Sequence, residues 1–296
     1  MKKSIKYKIL YIVNPQSGGN DHDELKDVII RISKKYNSEW KIYSTKGEDD
    51  KRLIEKEIID FKPELVISTG GDGTVNLVAS ILINREISMG IIPGGSANGL
   101  AYNLDIPNDS SKALEKCMNT AARPIDMIRI NDKFYCIHLS DIGINARIVK
   151  RFEEEGARGL IGYGKQFFKE LLAKSSAFKF NVSYDKSNYR MRAEMVVIAN
   201  ARAFGTGAVI NPKGKIEDGK FELVIIKPYP WWFVFPLIAG FLTGNFSRMK
   251  YIDVHSLEKA HIELDNPAEM QIDGEIMESM KSIDIKIIPQ ALKVHY

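Results

Sequence analysis

The sequence predicts an α/β N-terminal domain with a Rossmann-like parallel sheet, followed by a mostly-β sandwich domain. Three observations carry the prediction. Through about residue 124, short apolar runs alternate with segments whose apolar residues recur at helical spacing, the pattern of strands joined by crossover helices. Beyond that point, apolar residues fall at every second position, which means antiparallel sheets with one buried face. The third is a junction, Ser68-Thr69-Gly70-Gly71-Asp72-Gly73-Thr74-Val75-Asn76, with three glycines in four positions between a strand and a helix.

Tyr7-Lys8-Ile9-Leu10-Tyr11-Ile12-Val13 is the first predicted strand, followed by the turn-rich Asn14-Pro15-Gln16-Ser17-Gly18-Gly19-Asn20. Leu25, Val28, Ile29, Ile32 and Tyr36 then mark a helix. Residues 40–45 read as a second strand, and Leu53, Ile54, Ile58 and Phe61 as a helix that stops before Pro63. Leu65-Val66-Ile67 is the third strand, residues 75–82 the third helix and Met89-Gly90-Ile91-Ile92 the fourth strand. Parallel strands with right-handed crossovers bring ligands to their carboxyl ends. Three of these four ends open into unusual loops, at residues 14–20, 70–74 and 93–98. They are expected to converge on one crevice and form a nucleotide site.

In the second half, Phe178, Phe180, Val182 and Tyr184 alternate with Lys179, Asn181, Ser183 and Asp185. Tyr189, Met191, Ala193, Met195 and Val197 read as one further strand, and Ile283, Ile285 and Ile287 as another. Two helical segments interrupt the pattern, residues 160–174, with Phe167, Phe168, Leu171 and Leu172, and the aromatic-rich residues 231–242. The expected domains are residues 1–124 and 125–296, with a cleft between them and the last strand free to return to the first domain.

A chain of 296 residues with 44% hydrophobic content has ample core for two domains. The net charge of +4 is mild and spread out; it does not call for nucleic acid, and it would help approach to an anionic membrane or substrate. Cys117 and Cys136 have no metal-type spacing and fit a reduced, cytoplasmic protein. Met1-Lys2-Lys3-Ser4 runs into a strand without a signal-peptide apolar region. Residues 228–247 carry no charge, but Pro228, Pro230 and Pro236 interrupt them. Their densest apolar core is twelve residues, too short to span a bilayer, so a soluble protein is expected. The five histidines show no pairing or ligand spacing.

At the junction, glycines let backbone approach a bulky ligand, and a helix start offers N–H donors and a positive dipole end to phosphate. Asp72 would repel phosphate directly. It makes sense as a ligand for a phosphate-bound metal or as a base; the plain alternative is a tight turn with a solvated carboxylate.

Gly70-Gly71-Asp72-Gly73-Thr74, with Ile92-Pro93-Gly94-Gly95-Ser96-Ala97-Asn98 further on, resembles the diacylglycerol kinase catalytic-domain family, which includes bacterial lipid kinases and sphingosine kinases. Asn14-Pro15 with Ser17-Gly18-Gly19 resembles its first nucleotide loop, and Ser44-Thr45 the strand end with a nucleotide-contacting Thr. Glu217-Asp218-Gly219-Lys220-Phe221 resembles its Asp-Gly turn and Asp273-Gly274-Glu275 its late motif. The resemblance implies an N-terminal domain of NAD kinase and phosphofructokinase type, and an ATP-dependent kinase acting on a lipid hydroxyl with Mg²⁺ on the nucleotide. It casts Asn14, Ser17, Gly18, Gly19, Thr45, Gly70, Gly71, Gly73, Thr74, Gly95, Ser96 and Asn98 as nucleotide-site residues. Asp273 is placed as the base, with Glu275 and Asp72 serving Mg²⁺; the roles of Asp72 and Asp273 can be exchanged. Asp273-Gly274 also reads as a hairpin turn, and Asp218 as a turn or structural-metal residue. Leu77 and Gly99 stand where many relatives carry acidic residues.

The implied partner is a lipid presented at a membrane surface, reached by peripheral association from the cytoplasm; a homodimer is left open. Phe167, Phe168, Leu171, Leu172, Trp231, Trp232, Phe233, Phe235 and Phe241 are candidates for lining an acyl cavity or, more simply, for domain core. Adjacent tryptophans on a helix cannot both face one core, and one belongs at a membrane surface. Gly143-Ile144-Asn145-Ala146-Arg147-Ile148-Val149-Lys150-Arg151 is basic, which disfavours a cationic sphingoid base and favours a neutral lipid such as diacylglycerol. The alternatives are a soluble-substrate kinase of NAD kinase type and a non-catalytic nucleotide- or lipid-binding regulator.

Overall fold

A computed structural model describes residues 7–17, 22–143, 177–204, 207–245 and 249–296. The chain forms two compact units, Met1–Ile125 with Gln290–Tyr296, and Asp126–Pro289.

The first unit alternates strand and helix: β1 (Lys8–Val13), α1 (His22–Lys35), β2 (Glu39–Ser44), α2 (Asp50–Phe61), β3 (Leu65–Gly70), α3 (Asp72–Leu82) and β4 (Ser88–Pro93). Two shorter helices follow, α4 (Gly99–Asn103) and α5 (Ser110–Asn119). The strands pair in parallel in the order β2-β1-β3-β4. Ile9 to Val13 and Leu65 to Gly70 are all buried, because helices covering both faces leave no solvated side for polar residues. Register aligns Val13 with Ser44 and with Thr69, and Gly70 with Pro93, so the strands end level. The order reverses between β1 and β3, where an open α/β sheet forms its crevice. Val294 pairs with Met89 and brings the C-terminus onto β4.

The second unit contains most of β5 (Ala122–Ile130), then β6 (Phe134–Cys136), β7 (Leu139–Gly143), β8 (Phe178–Tyr184), β9 (Ser187–Ala193), β10 (Met195–Ala199) and β11 (Phe221–Ile226). A 3₁₀ turn, Trp231–Phe233, leads into α6 (Val234–Thr243). After it come β12 (Ile252–Leu257), β13 (Lys259–Ala268), β14 (Met270–Ile272), β15 (Glu275–Ile276) and β16 (Met280–His295). One antiparallel sheet runs β12-β11-β10-β7-β14-β15; the other contains β16-β13-β8-β9, with β5 and β6 paired beside β16.

Residues 189–197, expected as one strand, are two. Ala193 ends β9 on β8, whereas Met195 begins β10 between β7 and β11, so the chain changes sheets at Glu194. β10 is buried on both faces: Val196 and Ile198 join the core between the sheets, and Met195, Val197 and Ala199 pack towards α6. Cys117 and Cys136 are free and buried. The expected helix at residues 160–174 lies outside the described residues. Among the described residues no helix is long and apolar enough to cross a membrane.

Candidate nucleotide and carboxylate sites

Level strand ends bring four loops of the first unit together at one edge. Asn14 N–H donates to Thr69 O at 2.9 Å, Thr45 N–H to Val13 O at 2.9 Å, and Gly94 N–H to Gly70 O at 2.9 Å. Asn14 Nδ2 reaches Thr74 Oγ1 at 3.3 Å, tying the loop after β1 to the start of α3. Ser17 Oγ donates to Asn14 O at 2.7 Å and closes its own turn. Gly18 and Gly19 lie outside the described residues.

The glycines also meet one another. A Cβ on Gly95 would lie 2.5 Å from Gly71 Cα, and one on Gly94 3.3 Å from Gly70 Cα. A Cβ on Gly70 would meet Thr74 Oγ1 at 2.4 Å. The loops after β3 and β4 therefore touch backbone to backbone, and Gly95 is required by that contact. Asn98, at φ +52°, staples the second loop: its Oδ1 accepts Gly95 N–H and its Nδ2 donates to Gly95 O, both at 2.8 Å. Ser96 and Ala97 are left exposed at the tip.

Asp72 is the first residue of α3, and its carboxylate accepts backbone N–H groups of Gly99, Leu100 and Asn98 at the start of α4. Burial pushes its carboxyl up to about 6, and those three N–H donors oppose the rise. Gly99 is one of these backbone donors. Asp50 orders the loop beyond Thr45, taking Tyr43 OH at 2.7 Å and the N–H groups of Gly47 at 2.8 Å and Lys46 at 3.0 Å.

In the second unit, Asp273 and Gly274 form a two-residue hairpin between β14 and β15, with φ of +48° and +92°. Turn and carboxylate duties coincide, since Asp273 points inward and is only 4% exposed. Its oxygens accept the N–H groups of Ile137 at 2.8 Å, His138 at 2.9 Å and Leu139 at 3.1 Å, with Cys136 Sγ at 3.3 Å. This negative charge and full burial push the Cys136 thiol well up, burial foremost. Gln271 Oε1 accepts Gly274 N–H at 2.7 Å, while its Nε2 donates to buried Asp141. The hairpin is thus clamped at both of its residues, and Glu275, immediately beyond it, is exposed.

Asp218 is also exposed, accepting Lys220 N–H at 3.1 Å in the turn before β11. Gly219, at φ +74°, donates its N–H to buried Asp126 at 2.6 Å. Asp218 and Glu222 share the lining of a cavity of about 500 Å³. Among the described residues, no group of three or more metal-capable side chains forms. Mg²⁺ is usually held by one or two carboxylates and substrate phosphates, so the set of donors fits a nucleotide-borne ion better than a cage of protein ligands.

Asp126, Asp141, Asp50 and Gln271 escaped the sequence reading. The first two had a signal, a lone carboxylate inside Pro124-Ile125-Asp126-Met127-Ile128 and inside Leu139-Ser140-Asp141-Ile142. A charge in a buried strand needs partners.

The first unit is thus a parallel sheet with glycine loops in contact at its carboxyl edge, and the second an antiparallel sandwich. The chain belongs to the diacylglycerol kinase catalytic-domain family, a family of lipid kinases. Residues 8–130 match the diacylglycerol kinase catalytic domain, and residues 140–296 match the YegS C-terminal NAD kinase beta sandwich-like domain. A protein of Yersinia enterocolitica named "Probable lipid kinase YegS-like" is 29% identical over 83% of this chain and 82% of its own. One of the same name from Pectobacterium atrosepticum is 28% identical over 96% and 94%. A crystal structure of a diacylglycerol kinase from Bacillus anthracis str. Sterne shares the fold with a TM-score of 0.79, at 23% identity over 98% of each chain.

Proposed function

We propose that this kinase transfers the γ-phosphoryl group of ATP to a lipid hydroxyl, with diacylglycerol or a related neutral lipid as acceptor. The observation that carries the reading is the convergence of the loops at Asn14, Thr45, Gly70–Thr74 and Gly94–Asn98 on the level strand ends. Bound Mg²⁺-ATP would supply the phosphoryl group and the cation that neutralises its charge. Around it, the start of α3 supplies N–H donors, and Asn14, Thr74 and Asn98 fix the loops. Asp72 is ionised above about pH 6, and its negative charge would draw the nucleotide-borne metal.

The proton acceptor is Glu275 rather than Asp273. Four donors already fill Asp273, so it positions the hairpin, whereas Glu275 is exposed at its end. In the step, the lipid O–H would give its proton to a carboxylate while its oxygen bonds to the γ-phosphorus and the bond from that phosphorus to the β–γ bridging oxygen breaks, releasing ADP.

The test is transfer of label from γ-labelled ATP with Mg²⁺ to micelles containing diacylglycerol, monoacylglycerol, ceramide or sphingosine. Label is expected in a neutral lipid, and Glu275→Gln should lower the rate about 10²- to 10⁴-fold with ATP binding kept. Tight ATP binding without label in any lipid would favour the regulator reading. Label in NAD would favour the soluble-substrate reading.

A further inference from the structure

We propose that the 3₁₀ turn and α6 form a docking element for an anionic membrane surface, a role that rests on the lipid-kinase reading. The helix is apolar on two faces. Val234, Leu237 and Phe241 pack into the sandwich beside Phe233. Opposite them, Trp231 is 64% exposed, Trp232 51%, Phe235 58% and Leu242 76%. Phe235 and Leu242 are spaced by seven, which aligns them along one side of α6. Both tryptophans avoid the core, although only one was expected to do so. The 3₁₀ turn carries them, and Trp232 meets Phe233 edge-on, 6.2 Å between ring centroids.

Charge selects the occupant. No ionisable side chain interrupts residues 228–247 apart from Tyr229, yet lysines mark both ends of the patch. Lys250 is exposed and lies 5.7 Å over the Tyr251 ring, which itself packs at 4.8 Å against Phe233. At the other end, Gly244 closes α6 against Val209 and Pro212, and exposed Lys213 follows Pro212. Asp253, the acid beside Tyr251 and Ile252 on β12, is neutralised by Lys227 at 2.9 Å. Indole rings above an apolar helix face, flanked by lysines, match the boundary between acyl chains and anionic headgroups. A second copy of the chain would bring the same lysines together unless the pairing offset them.

The test uses the full chain with vesicles of phosphatidylcholine, alone or mixed with phosphatidylglycerol. Co-sedimentation and a blue shift of tryptophan emission are expected with the mixed vesicles. Phe235→Ser/Leu242→Ser keeps all three tryptophans and should weaken partition about tenfold or more. Lys213→Gln and Lys250→Gln should each weaken it about fivefold, on anionic vesicles only. Turnover of a water-soluble short-chain diacylglycerol should be unchanged in all of them. Partition unchanged in Phe235→Ser/Leu242→Ser would overturn the proposal. So would a chain that dimerises through this face and does not sediment with vesicles. Docking without turnover of any diacylglycerol would sink the acceptor assignment and leave the docking element standing.

Discussion

Asp72 and Asp273 look interchangeable as letters in two Asp-Gly motifs, and their environments separate them. Asp273 receives three backbone N–H groups and a thiol in the interior. Asparagine there would turn an NH₂ towards donors and leave at least one buried N–H unmet, at about 1–3 kcal/mol each. Asp273→Asn should therefore lower the denaturation midpoint, and lost activity in it would report a disturbed hairpin. Asp72 behaves in the opposite way. Its carboxyl is raised from 3.8 to about 6, burial being the largest cause, so the ionised form costs stability that is regained as pH falls through 6 towards 4. Asp72→Asn removes that pH-dependent cost but turns an NH₂ towards the three backbone donors, so its stability should change less than the parent's between pH 8 and pH 4, while phosphoryl transfer is lost. Denaturant titrations at the two pH values check both variants. The sequence displayed these aspartates because glycines frame them. It hid Asp126 and Asp141, whose partners come from Gly219 and Gln271, 93 and 130 residues away.

At the level of elements, the strands of the first unit were legible because buried parallel strands are short unbroken apolar runs. The break at Glu194 was not, because Tyr189 to Val197 keep one period while the chain changes sheets. The glycine loops were legible as a place, but the contact between Gly70–Gly71 and Gly94–Gly95 was not, because residues more than twenty positions apart make it. That contact makes a prediction of its own. Gly95→Ala would set a Cβ 2.5 Å from Gly71 Cα, and backbone cannot rotate away as a side chain can. The loops must part, at about 1–3 kcal/mol. Asn98→Ala removes both staples on Gly95 without that overlap. Both should raise KM for ATP and lower the melting temperature, Gly95→Ala through the overlap and Asn98→Ala through the lost bonds and its left-handed backbone. A melting temperature unchanged in Gly95→Ala would mean that the loops accommodate the methyl group without strain.

For the whole molecule, the first unit is discontinuous in sequence, and its last piece is seven residues, Gln290–Tyr296. Period two runs through Ile283, Ile285 and Ile287, then breaks at Pro289 and at Gln290, which has φ +51°. Ala291, Leu292 and Val294 are buried beyond that break. They add apolar surface to the first unit, and Val294 pairs with Met89. Ala291 O accepts Asn84 N–H at 2.9 Å, and His295 bridges Ser88 Oγ at 3.0 Å and Thr120 O at 2.8 Å. Removing residues 290–296 would expose β4 along the edge that Val294 covers and strip the first unit of three buried aliphatic side chains. Fully burying a Leu or Val side chain is worth about 1.5–3 kcal/mol, so the loss is comparable with the stability of a whole domain. The truncated chain should lose ATP binding and amide-exchange protection across β3 and β4, while β8 and β13 of the second unit retain theirs. Hydrogen exchange resolved by peptide distinguishes the outcomes. Uniform loss of protection would mean that the units fold as one, and full retention would mean that the C-terminal segment adds little to the nucleotide-binding unit.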